Sequence, residues 1–251
     1  MGIHWEQDGK QRRGPSWTEL VNQAARILGA DEPDLLRVRG TDLQILEYFY
    51  AKNGNFAPLI NWLSINMNPP DESLEASPLH RALSQLELCK IFYTTNYDDF
   101  LERALKIHNR EVTVIASEHH MGRVSDQTQV VKFHGDLNTP ESMVLSESQY
   151  ERRTRLETQL DLKLCSDVLG RALLFIGYSF RDPNVAYLFR LVTDRFKDLP
   201  ASFSGRRAYI IVANPSDFEM QLFNQRRIEV IPAVGEDRTN TYTEIIEDLA
   251  S

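Results

Sequence analysis

The chain has 251 residues, a formal net charge of −8 and 42% hydrophobic residues, enough for one large α/β domain or one domain with an insertion. No stretch approaches the roughly 18 consecutive apolar residues of a membrane span, Met1–Gly9 lacks the apolar core of a signal peptide, and an acidic chain has no electrostatic reason to bind nucleic acid or an anionic membrane. Two cysteines, Cys89 and Cys165, are too few for a disulfide framework or a four-cysteine zinc site and read as buried thiols of a cytoplasmic protein.

The residues before Pro15 hold no apolar strand and no Gly-x-Gly. Gly14-Pro15-Ser16-Trp17 is then a turn into a helix with Leu20, Val21, Ala24, Ile27 and Leu28 on one face, ended by Gly29. Further helical patterns run from about Asp42 to Lys52, Asn55 to Met67 and Pro78 to Leu88, with a break at Asn68-Pro69-Pro70-Asp71. The segment at about 30–88 is expected to form a helical subdomain over a sheet, all within a single domain spanning 1–251. From Lys90 the pattern alternates. Strands are expected at 90–95, 112–116, 130–133, 143–145, 173–178, 208–213 and 228–231, and helices at 98–107, 146–170, 183–197, 216–225 and 241–250. Such alternation predicts an α/β fold with a mainly parallel sheet covered by helices on both faces.

Ligands of open α/β sheets sit beyond the carboxyl ends of the strands. The run Ile91-Phe92-Tyr93 leads into Thr94-Thr95-Asn96-Tyr97-Asp98-Asp99, and Val130-Val131-Lys132-Phe133 leads into His134-Gly135-Asp136. Two strand ends carrying Asn96 and His134 predict one shared site. Bland readings stand beside this one: Asn96 as a helix cap, Asp98 and Asp99 as helix-start acids, Trp17 as packing, and His108, His119 and His120 as surface residues without metal-ligand spacing. Arg152, Arg153 and Arg155 read as a solvated face or a surface for an acidic partner. A fourth piece, Phe175-Ile176-Gly177-Tyr178-Ser179-Phe180-Arg181-Asp182-Pro183-Asn184, is a strand running into a turn and a helix start. Gly177 allows close backbone approach, Ser179 and the following N–H groups can hold a phosphate, and Asp182 is placed to cap the helix beginning at Pro183.

Taken in order, these four pieces resemble the bacterial sirtuin-like domain family, whose members include NAD-consuming effectors of anti-phage defence. The resemblance implies a Rossmann-like domain with NAD bound between the sheet edge and the helical subdomain, and cleavage of the nicotinamide–ribose bond. It implies Asn96 and His134 as catalytic residues. Thr95, Asp98 and Trp17, with Gly177, Ser179, Asp182 and Asn184, are the implied NAD contacts. The family's Gly-Ala-Gly phosphate loop is not found ahead of Pro15, so either the natural protein extends upstream or the site lacks that loop. The deacylase branch carries a four-cysteine zinc, so no zinc is expected. An abortive-infection effector must also be restrained until infection, which predicts a regulatory or sensor protein encoded nearby, or self-assembly. The alternatives are a catalytically degenerate nucleotide-binding or scaffold subunit and, disfavoured by the two cysteines, an NAD-dependent protein deacylase.

Overall fold

The computed structural model describes residues 3–30, 32–122, 127–154, 158–178, 190, 193–194 and 208–251. They fall into two compact units, residues 2–158 and 159–251. Both are α/β with parallel sheets, a Rossmann-like architecture.

The first unit opens with a hairpin of β1 (His4–Gln7) and β2 (Lys10–Arg13), which the apolar pattern does not announce. Its signal is Asp8-Gly9, whose φ values of 55° and 69° match the left-handed pair of a tight hairpin turn. Ile3 and Trp5 bury one face, and β2 is exposed throughout. Helix α1 (Trp17–Ile27) starts at a capping box in which Ser16 and Glu19 bond each other's backbone N–H. It buries Leu20, Val21 and Ala24, while Ile27 turns outward. Next come α2 (Pro33–Arg39), α3 (Asp42–Asn53), α4 (Ala57–Asn66), α5 (Asp71–Glu75) and α6 (Pro78–Gln85). A second capping box, Thr41 with Gln44, starts α3, and Gly54 at φ 73° ends it.

The sheet of this unit is three parallel strands, β3 (Ile91–Thr94), β4 (Val112–Ile115) and β5 (Thr128–Lys132), in the order β3-β5-β4. Helix α7 (Phe100–Ile107) follows β3 and packs on α5 and α6. Residues 143–145, expected as a strand, are buried but join no ladder. Their polar groups are met singly: the Val144 N–H donates to the His134 carbonyl, Tyr97 Oη donates to the Val144 carbonyl, and the Leu145 N–H donates to Gln149 Oε1. The helix expected at 146–170 is two, α8 (Glu147–Thr154) and α9 (Gln159–Gly170). Between them Thr158 lies in a bend, its Oγ1 accepting from Arg153.

The second unit begins with α9 and carries the parallel sheet β6 (Leu173–Ile176), β7 (Ala208–Ala213) and β8 (Ile228–Ala233). Helix α10 (Asp217–Gln225) opens on a third capping box, Ser216 with Glu219. In α11 (Arg238–Ala250), Asp237 caps two N–H groups and Tyr242 Oη donates to the Ile211 carbonyl. No helix among the described residues is long and apolar enough to cross a membrane.

Candidate functional site

The parallel register pairs Thr94 with Lys132 at the carboxyl ends of β3 and β5. The Phe133 N–H still donates to the Thr94 carbonyl at 2.8 Å, and Asn96 and His134 each follow two residues after the paired ends. The two turns beyond the strands are laced together. The Leu137 N–H donates to the Tyr97 carbonyl at 2.9 Å. The Tyr97 ring is buried with Leu20, Leu46, Met143 and Leu145, so the helical cap packs directly on this edge.

Asn96 is exposed, and its backbone N–H donates to Thr94 Oγ1 at 3.1 Å. Its carboxamide bonds no described residue. The N-cap of α7 is Asp99, whose side chain makes no cap bond, and Asp98 Oδ1 accepts the Phe100 N–H at 3.2 Å from one residue earlier. Asn96 is therefore not the cap of this helix, and its carboxamide is available to a ligand. Asp98 is almost wholly buried, and that burial pushes its carboxyl above the usual carboxylate range, although Lys132 and the Phe100 N–H pull the other way. Asp99 is structural: it pairs with Arg103, which also holds Asp71 and the Pro69 carbonyl.

His134 is 3% exposed. The Tyr150 ring meets it edge-on at 5.1 Å, with Phe133 on another side at 5.6 Å. Burial, together with the nearby Arg153 cation, lowers the imidazole to about 3. The ring is therefore neutral at pH 7. Arg153 is not the free solvated side chain expected of it, because its guanidinium lies 5.2 Å over the Phe133 ring. The loop after His134 turns at Gly135, φ 90°, where a Cβ would fall 2.3 Å from the Ser142 carbonyl oxygen. Asp136 then closes the loop, its N–H donating to Ser142 Oγ and its Oδ1 accepting from Asn138.

Beneath both turns lies a buried ionic cluster with no role in the sequence reading. The Lys132 ammonium is fully covered, donates to the Asp98 carbonyl, and pairs with Glu102 Oε1 at 3.0 Å. The signal for it was a lysine inside an apolar strand, which can be buried only against a partner.

Residues 90–231, more than half of the chain, match the SIR2-like domain. The chain belongs to this family. NAD(+) hydrolase ThsA of Enterococcus faecium is 32% identical to it over 68% of this chain and 35% of its own length. NAD(+) hydrolase ThsA of Acinetobacter baumannii (strain 532279) is 25% identical over 93% of this chain and 49% of its own. Defense-associated sirtuin 2 of Bacillus subtilis is 23% identical over 91% of this chain and 22% of its own. The chain thus spans about half, or less, of the length of these relatives.

The other residues that the SIR2-like resemblance singled out are placed as follows. Thr95 is half-buried beside Asn96. Trp17, in the first turn of α1, is partly buried against the cluster that holds Tyr97 and Met143. Gly177 lies in the second unit, exposed just past β6 with φ 76°. Ser179, Asp182 and Asn184 lie outside the described residues. A cavity of about 850 Å³ opens between α3, α4 and the loop after His134, lined by Tyr50, Phe56, Ile60, Leu137 and Met143 among others. Neither Asn96 nor His134 lines it.

The depressed imidazole makes a stability prediction. Its folded-state value, about 3, lies below its ordinary 6.5. Between these two values the unfolded chain holds more protons than the folded one. His134 thus contributes stability that is complete above pH 6.5 and is lost as the pH falls toward 3. Going from pH 7 to pH 5 should cost about 2 kcal/mol through this one group. His80, lowered to about 4 by burial, adds a loss of the same sign. Urea melts at the two pH values check this: His134→Gln should lose less stability than the wild type, and an equal loss would place the acid sensitivity elsewhere.

Proposed function

We propose that this chain is an NAD+ hydrolase unit of a bacterial anti-phage system, cleaving the nicotinamide–ribose bond. The observation that carries the reading is that Asn96, whose carboxamide bonds no described residue, and the buried His134 follow the carboxyl ends of two adjacent parallel strands. The names of the SIR2-like relatives support the substrate.

The reaction takes NAD+ and water to nicotinamide, ADP-ribose and a proton. Positive charge develops on the ribose as nicotinamide leaves, and water adds to the same carbon. The Asn96 carboxamide is suited to hold a ribose hydroxyl through its N–H and to orient water through its oxygen. The imidazole accepts a hydrogen bond from a second hydroxyl or from the water. A ring so reluctant to carry charge is an acceptor first. Full proton transfer to it would need a compensating negative charge beside the ring. Asp98 supports the turn, its Oδ1 accepting the Phe100 N–H.

A freely active NAD+ hydrolase would deplete its own cytoplasm. The activity is therefore held in check and released through a partner protein or self-assembly, as an abortive-infection effector requires. Incubating the purified protein with NAD+, alone over a wide concentration range and with the products of neighbouring genes, tests both statements. Nicotinamide and ADP-ribose should appear in equal amounts, more strongly with the neighbour or at high concentration. Strong hydrolysis independent of concentration and partner would overturn the regulatory part. Absence of nicotinamide in every arm would leave a nucleotide-binding subunit as the better reading.

A further inference from the structure

We propose that Lys132 is a positioning residue for this reaction: from β5 it holds the Asn96 turn at a fixed distance from His134. The proposal rests on the hydrolase reading above and adds a residue to it. Lys132 is the last residue of β5 and His134 lies in the turn two residues further on, so the end of the strand carries both. Its ammonium reaches across to the neighbouring turn and donates to the carbonyl of Asp98, two residues beyond Asn96. Between Asn96 and Asp98, the turn is also held by the Tyr97 carbonyl, which accepts from Leu137, and by Tyr97 Oη, which donates to the Val144 carbonyl. Asn96 therefore lies on a short span whose following residues are gripped twice, and both grips lead back to the segment carrying His134.

The chemistry of the grip explains the residue type. The Asp98 carbonyl precedes the first turn of α7, where no helical N–H is directed at it, and it is buried away from water. A three-donor ammonium can satisfy it and keep bonds to spare. The charge so buried is matched by Glu102 of α7, 4% exposed, at 3.0 Å. Glu102 Oε2 has no hydrogen-bond partner among the described residues, so the carboxylate is spent on Lys132 alone. A buried ion pair is a costly way to gain stability, and apolar residues of similar volume often do as well. Its use here fits a demand for fixed geometry at the strand ends, where a displacement of about 1 Å can cost a hundredfold in rate.

The test separates geometry from stability. Lys132→Met alone strands Glu102 in the interior and confounds the two. The double variant Lys132→Met/Glu102→Leu removes both charges and is expected to fold. Its thermal stability, its kcat and KM for NAD+, and hydrogen exchange over residues 95–100 are compared with the wild type under the conditions that give most nicotinamide. Expected are near-wild-type stability, exchange over 95–100 faster by about tenfold with the core of α1 unchanged, and kcat lower by about 100-fold with KM altered less than about threefold. A folded double variant with wild-type kcat overturns the proposal. So does unchanged exchange over 95–100, whatever the turnover. If the wild type itself releases no nicotinamide while exchange still rises, the hydrolase reading fails and Lys132 stands as the anchor of the Asn96 turn. Should the double variant not fold, Lys132→Gln/Glu102→Gln, which removes both charges and keeps polar groups in place, is read by the same two measurements.

Discussion

Asn96→Ala and His134→Gln each lower NAD+ turnover by about 100-fold or more, and they do so for different reasons. The Asn96 carboxamide is exposed and bonds no described residue, so its removal leaves the fold without a missing contact. Thermal stability should stay at the wild-type value while kcat collapses. His134 is packed against Tyr150 and Phe133, so alanine would open a cavity and blur the result. Glutamine keeps much of the volume and removes the imidazole. Nicotinamide release at equal protein concentration, with circular dichroism of each variant, decides the matter. Full activity in either variant would remove that residue from the reaction.

Gly135→Ala should cost the first unit about 3 kcal/mol or more. Two independent penalties meet at this position. A side chain at φ 90° is strained in itself. The added carbon would also lie 2.3 Å from the Ser142 carbonyl oxygen and 2.6 Å from Met143 Cα, and backbone atoms cannot swing aside as a flexible side chain can. The loop would have to leave the segment to which Ser142 Oγ and the His134 carbonyl tie it. Gly54→Ala is the control: φ is 73° and nothing lies within 4 Å of the added carbon, so only the left-handed backbone strain of about 1 kcal/mol remains. Equal urea midpoints for the two variants would show that the 135–143 loop yields, and that glycine is there for its backbone freedom alone.

Much of this architecture is legible in the chain because its signals are local. Ser16 with Glu19 and Thr41 with Gln44 mark helix starts at the spacing a capping box needs. The apolar runs at 91–93 and 208–213 are strands, half-buried in β3 and more deeply buried in β7. The strand-end motifs put Asn96 and His134 just past the carboxyl ends of β3 and β5, because a parallel sheet brings those ends to one edge. What stayed hidden is held by contacts distant in sequence. Segment 143–145 is as apolar as a strand, yet Tyr97, His134 and Gln149 satisfy its backbone in place of a ladder. The role of Lys132 depends on Asp98 and Glu102, 34 and 30 positions away, a pairing no periodicity announces. The first hairpin was readable from Asp8-Gly9, but its strands alternate too weakly for an apolar pattern to show it. The burial that keeps His134 neutral comes in part from α8, a helix whose own sequence is mostly polar and charged.

A crystal structure of the His134→Gln variant with NAD+ bound tests the central claim most directly. The account predicts the nicotinamide-side ribose at the ends of β3 and β5, with a hydroxyl within about 3.5 Å of the Asn96 carboxamide and the substituted side chain at position 134 on the same sugar. NAD+ bound with that ribose away from Asn96, for instance in the cavity between α3, α4 and the 137–143 loop, would contradict it.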